Sequence, residues 1–305
     1  MTNQYQTNAD NSFEDDRIDV AELFGFLWEG KKTIIIVTTV FFLSSIFYAL
    51  SLNHYYKSTS TLSVIEAVSG GGSMGGLAAI AGISIQQVGV KGPRFINTLR
   101  SRAFLDYLIE SDENVLPALM AVESYDTESK KLVFDPSVYD AANKKWLIPK
   151  PNYLEAYETY MVMLYTDYHD IRRIIDLQVE HISPIFAKEF LDTIIREGDK
   201  VLREFDMQVS IDSLEYLNVE LGTTKLLNIK SSINQMILSQ MQTKMTTQLG
   251  YNYVVKIIDP PFIPLYPYRP SRRFIAMVGL LSGLVVSLLL VLMRQRFGFN
   301  ISKQE

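Results

Sequence analysis

"DPPFIPLYPYRPSRRFIAMVGLLSGLVVSLLLVLM", residues 259–293, decides the reading of the whole chain. After Pro260 and Pro261, prolines recur at Pro264, Pro267 and Pro270, three residues apart. Proline lacks the backbone N–H and fixes φ, so neither an α-helix nor a central strand runs through this stretch. From Phe274 to Met293 the chain then has twenty residues without a charge. As a helix this run is about 30 Å long, the thickness of a bilayer's hydrocarbon core.

A second run of the same kind lies near the other end, TIIIVTTVFFLSSIFYALSL, Thr33 to Leu52. Two membrane spans therefore bracket the chain. The first is a poor signal peptide: a polar, acidic stretch precedes it, the run is too long, and no small-x-small cleavage site follows. Lys31 and Lys32 stand immediately before it and only Lys57 closely follows, which places the N-terminus in the cytoplasm. The second span is balanced, with Arg269, Arg272 and Arg273 before it and Arg294, Arg296 and Lys303 after it. With two spans both termini lie inside. The expected organisation is a cytoplasmic tail at 1–32, spans at 33–52 and 274–293, an external domain at 53–273 and a short cytoplasmic tail at 294–305.

The tail is acidic and too polar at its start to fold alone. From Ile18 it places Val20, Leu23, Phe24, Leu27 and Trp28 on one face. That face suits a surface amphipathic helix or an extension of the first span. A net charge of −5 with no basic stripe argues against nucleic acid as a partner. The chain has no cysteine, so no disulfide holds the external domain.

Within that domain, YYKSTSTLSVIEA (55–67) alternates as a strand, with Tyr56, Ser58, Ser60, Leu62 and Val64 on one side. Residues 69–92 are Gly-rich but lack the GxxxxGK[ST] pattern of a phosphate loop, and read as a flexible loop. A helix is predicted over 93–111, a mixed charged stretch over 112–151, a helix over 152–171 and a strand over 174–183. Ser183-Pro184 then caps the longest element. Its apolar residues recur from Phe186 through Phe190, Ile194 and Leu202 to Leu217, opposite charged pairs at Asp192–Arg196 and Asp199–Arg203. Broken at ELGTT (220–224), the pattern resumes over 225–250 and stops at Gly250. An antiparallel helical trunk, about 185–250, standing on a small α/β base is the natural picture. Its apolar stripe must be buried against a neighbour, from its own chain or another. YNYVVKIID (251–259) is the final strand.

Catalysis has little to stand on. His54, His169 and His181 show no metal-ligand spacing, and no HExxH, GxSxG or CxxC is present. His169 lies beside Asp167 and Asp170, a pattern better read as a solvated helix end than as a site. Gly279, Gly283 and Ser287 form a small-xxx-small row in the second span, suited to close helix packing or to ordinary lipid exposure. The proline series reads as a polyproline II rod needing no partner strand. It serves as a rigid coupling, as a docking strip for another membrane protein, or as a plain linker.

The layout resembles the Wzz family of polysaccharide co-polymerases, the chain-length determinants of lipopolysaccharide O-antigen and related surface polysaccharides. The matching features are IDVAELFGFLWEGKKTIIIVTTVFFL, YYKSTSTLSV, the Gly-rich loop and YNYVVKIIDPPFIPLYPYRPSRRFIAMVGLLSGLVV. The resemblance implies an α+β membrane protein, with two transmembrane helices flanking a periplasmic α/β base and a long helical trunk. It also implies a ring-like homo-oligomer in the inner membrane lipid, without enzymatic activity or cofactor. Such a protein sets the modal polymer length made by a separate membrane polysaccharide polymerase, with the nascent polysaccharide as a further candidate partner. The kinase-fused relatives are excluded: the chain ends twelve residues past Met293 with no Walker motif. A two-span receptor with an external ligand domain is the alternative.

Overall fold

The computed structural model describes residues 28, 30–65, 91–248, 250 and 252–298. The expectations for the tail and for nearly all of the Gly-rich stretch lie outside them. The chain divides into two compact units, one made of Met1–Leu52 with Pro270–Glu305 and the other of Asn53–Arg269.

The first apolar run forms α1 (Lys31–Ser51). The second unit opens with β1 (Tyr56–Val64), followed by α2 (Lys91–Leu99), α3 (Arg102–Ser111) and α4 (Val115–Met120). Two hairpins come next, β2 (Val122–Asp126) with β3 (Lys131–Phe134), and β4 (Tyr139–Asp140) with β5 (Lys145–Trp146). Then follow α5 (Tyr153–Met163), β6 (Leu164–His169), β7 (Ile174–His181), α6 (Pro184–Thr223), α7 (Leu227–Gln248) and β8 (Val255–Asp259). The last helix, α8 (Arg272–Gly298), returns to the first unit.

The main sheet is antiparallel with strand order β6-β7-β1-β8. β1 sits centrally, running from Tyr56 opposite His181 to Ser63 opposite Ile174. Its alternation is real: Ser58, Ser60, Leu62 and Val64 are buried and the residues between them are not. Ile175, Leu177 and Val179 of β7 bury on the same principle, side chains alternating across the pleat. Phe190, Leu191 and Ile194 of α6 join them in one core with Phe95, Leu99, Leu105, Leu108 and Tyr160.

Several predicted elements divide or shift. The helix expected over 93–111 breaks because the Ser101 side chain accepts the Phe104 N–H and starts α3 afresh. The helix expected over 152–171 stops at Met163, and Leu164–His169 pairs with β7 instead. There, sheet pairing overrides a marginal helical pattern. The stretch 112–151 holds α4 and both hairpins; Asp126 and Asp140 shape the hairpin turns and Asp135 the turn between them, each accepting a backbone N–H two residues on.

α6 has forty residues, about 60 Å of helix. Ser183 caps it by accepting the Phe186 N–H. It ends at Thr223, with Thr224 as its extended C-cap, so the expected break falls at the last residue of ELGTT and Gly222 is tolerated inside the helix. α7 returns along it. Ile194 and Leu202 are buried within their own unit, so this part of the apolar stripe is covered by its own chain. Beyond Leu202 the pattern opens, with Phe205, Val209, Tyr216 and Val219 exposed.

Candidate functional site

The proline segment is not an unpartnered rod. Beyond β8 it follows β1 toward Tyr55, held by side chains that supply what proline cannot. Ser60 Oγ donates to the Asp259 carbonyl at 2.7 Å and Ser58 Oγ to the Phe262 carbonyl at 2.8 Å. Both serines are buried, so each hydroxyl needs an acceptor. At the far end the Tyr55 N–H donates to the Arg269 carbonyl at 2.9 Å and the Tyr268 N–H to the Tyr55 carbonyl at 2.7 Å. Lys57 Nζ lies 3.7 Å from the Tyr268 ring centroid, and Arg269 reaches Glu180 at 3.5 Å.

These anchor points fix the path of the chain between them. Ser58 on β1 and Tyr55 just before it are three residues apart, about 10 Å. Phe262 and Arg269 are seven apart, about 22 Å if extended as polyproline II. The segment must therefore bow outward, and it bends at Leu265–Tyr266. The expected polyproline II rod is therefore interrupted at that bend. Pro261 and Pro264 are buried, Pro260 and Pro267 exposed and Pro270 half-buried. The serine clips went unread, though two inward-facing serines on an otherwise apolar strand face were the available signal.

In the other unit, α1 and α8 pack as an antiparallel pair. The small residues of α8 form the seam. A Cβ at Gly279 would overlap the Ser45 side chain, and one at Gly283 would stand 2.7 Å from Phe41 Cβ and 3.1 Å from Thr38 Cα. Ser287 is fully buried, with its hydroxyl 3.5 Å from that of Thr38. Gly30 meets Val291 in the same way at the other end. The row Gly279, Gly283, Ser287 is thus occupied by the chain's own first apolar helix. Most other large apolar side chains on both helices are exposed, including Ile35, Leu43, Phe47, Leu281 and Leu289. Both helices are long and apolar enough to cross a membrane.

A polar clamp at the root of the trunk was not anticipated. Asp192 and Arg196 pair at 3.6 Å as expected, but Asp199 and Arg203 turn to the returning chain. The Asp199 carboxylate accepts the N–H groups of Tyr253, Val254 and Val255, and Arg203 donates to the Gly250 carbonyl at 3.0 Å. Tyr253 donates its hydroxyl to Asp206 at 2.8 Å, and Arg94 pairs with the same carboxylate at 2.7 Å. Burial, then that hydrogen bond, raises the Tyr253 phenol. Burial likewise lowers the Lys91 ammonium, which faces the Tyr253 ring at 4.1 Å. Each of these groups has a structural partner, Lys91 Nζ donating in addition to the Tyr253 carbonyl at 3.3 Å.

The histidines are dispersed. His181 is buried, its Nε2 on the Ala118 carbonyl at 3.0 Å and its Nδ1 accepting the Ser183 N–H. His169 ends a strand rather than a helix, with Asp176 at 3.2 Å and Asp167 at 3.7 Å on a half-exposed surface. Among the described residues no cluster of three or more His, Asp or Glu has metal-binding geometry.

The Wzz family, described as chain length determinant protein, matches residues 16–111, a range that includes α1, β1, α2 and α3. Over these residues the resemblance read from the sequence holds. The match does not reach the proline segment or α8. A solved full-length bacterial polysaccharide co-polymerase is similar at TM-score 0.40 and 13% identity, over 94% of this chain and 100% of that one. No curated protein sequence matches the chain.

Proposed function

We propose that the chain is a membrane-anchored, non-catalytic regulator of surface-polysaccharide chain length that acts on a separate membrane polymerase. The observation that carries this reading is the Wzz match over residues 16–111, which joins the first apolar helix to the start of the external unit. The two helices of membrane-crossing length support it. In the finer reading the polymer is O-antigen or a related surface polysaccharide, and the membrane is the inner membrane. Residues 53–273 lie in the periplasm, both termini are cytoplasmic, and the protein works as a homo-oligomeric ring.

The decisive experiment compares polysaccharide ladders on gels from a deletion strain and from the same strain carrying the gene. The expected result is a clustered length distribution that is lost on deletion and restored by complementation. Identical ladders would overturn the reading and leave the two-span receptor. Reporter fusions after Leu52 and after Glu305 test the topology, with external activity expected only at the first.

A further inference from the structure

We infer that the bowed segment Phe262–Tyr268 is a lipid-contacting loop, with Leu265 and Tyr266 seated in the headgroup and upper acyl region of the bilayer. The inference rests on the reading above that α1 and α8 cross a membrane. Four observations carry it.

The first is exposure among the described residues. Leu265 is 85% exposed and Tyr266 81%, flanked by exposed Phe262, Ile263 and Tyr268. A contiguous apolar patch of this kind marks a surface meant to meet something other than water. The second is position. Arg269 is hydrogen-bonded to Tyr55, and these residues lie within three positions of Pro270 and Leu52, where the chain enters the two apolar helices. The loop is tied by covalent connection to the place where both spans leave the membrane.

The third is the backbone. A non-helical segment entering lipid carries N–H groups that lose water, which is unfavourable for each one that is not paired. Between residues 260 and 267 four of the eight residues are proline and carry no N–H at all. The carbonyls of Asp259 and Phe262 are taken up by Ser60 and Ser58. The proline ladder therefore lowers the cost of putting irregular backbone against lipid at the mouth of a span.

The fourth is charge and ring chemistry. No charged residue occurs from Pro260 to Tyr268, yet Lys57 and Arg269 both stand over the Tyr268 ring, at 3.7 and 5.4 Å from its centroid. An aromatic ring with cations beside it suits the interface, where the apolar body faces acyl chains and the charge faces phosphate.

The test uses the full chain, which contains no cysteine, reconstituted in vesicles of phosphatidylethanolamine and phosphatidylglycerol. Single Leu265→Cys and Tyr266→Cys variants are spin-labelled and read for accessibility to oxygen and to a water-soluble nickel chelate. Both side chains are exposed, so the fold tolerates the change. Ile171→Cys is the aqueous reference: it is 98% exposed but sits in the β6–β7 turn, at the opposite end of β1 from Tyr55. Val285→Cys, on the exposed side of α8, is the lipid reference. The expected result is an oxygen-to-nickel ratio at 265 and 266 several-fold above that at 171 and approaching that at 285. A ratio equal to that at 171, with 285 lipid-exposed, overturns the lipid loop alone. Shielding from both reagents identifies a protein partner and also overturns it. A water-accessible 285 overturns the membrane reading beneath it.

Discussion

At the scale of single residues, His181 shows how a buried side chain makes stability depend on pH. Its ring packs at a tilt against Phe186, centroids 4.4 Å apart, while Nε2 meets the Ala118 carbonyl of α4 and Nδ1 accepts the Ser183 N–H at the start of α6. Burial lowers its pKa to about 4 from the ordinary 6.5. The unfolded chain therefore takes up a proton near pH 6.5 that the folded one refuses until about pH 4. Stability from this group is complete above pH 6.5, falls through that window and is lost below it, a total of about 3 kcal/mol. Urea midpoints of the full chain in detergent, measured between pH 7 and pH 4, should drop more steeply for the wild type than for His181→Gln; parallel curves would remove the assignment. Two glycines of the same helix give a contrast in sign. A Cβ at Gly198 would overlap Leu99 and stand 3.1 Å from Phe95, whereas one at Gly222 meets nothing within 4 Å. Gly198→Ala should destabilise by about 1–3 kcal/mol through overpacking. Gly222→Ala should stabilise by about 0.5–1 kcal/mol through helix propensity. Thermal unfolding of the two variants checks both signs.

At the scale of elements, the antiparallel pair of α1 and α8 meets at small residues, with the Thr38 and Ser287 hydroxyls 3.5 Å apart across the seam. Gly283→Leu should push the helices apart at Thr38 and Phe41. A Thr38→Cys/Ser287→Cys pair reports on this directly: it should cross-link readily in the parent and poorly with Gly283→Leu. Equal yields would show that the glycine does not set the seam. The same comparison marks what the sequence could show. The apolar runs, the β1 alternation and the Ser183 cap were legible because each is a local pattern with one physical reading. The strand Leu164–His169 was not, since its register comes from β7, a partner the local pattern does not name. The glycine row suggested helix packing, but the identity of the partner helix is a tertiary fact. The proline segment misled most. Its three-residue period suggests a straight rod, and only the clips from Ser58, Ser60 and Tyr55 show that the chain is pinned at both ends and must bow.

At the scale of the whole molecule, the trunk poses the remaining question. Up to Leu202 the stripe of α6 is buried by its own unit, so a charge at Ile194 or Leu202 would break a core and report nothing about association. Farther along, α6 and α7 cover each other only in part. Phe205, Tyr216 and Val219 on α6 stay exposed, as do Leu226, Leu227 and Met245 on or beside α7. Two amphipathic helices that leave this much apolar surface in water are incomplete as a pair. Under the proposed function the surface is covered by further copies of the chain. Tyr216→Asp and Val219→Asp place charge there without touching the core, since these side chains are 68% and 64% exposed. Burying an unpaired carboxylate between copies costs several kcal/mol, so the larger assemblies should be depleted in membrane cross-linking while monomer stability is kept. The polysaccharide ladder should broaden in the same strains if assembly sets length. Unchanged cross-linked species at wild-type protein level would exclude the trunk as the contact between copies. Loss of assembly with an unchanged ladder would separate length control from the oligomer and return it to the single chain.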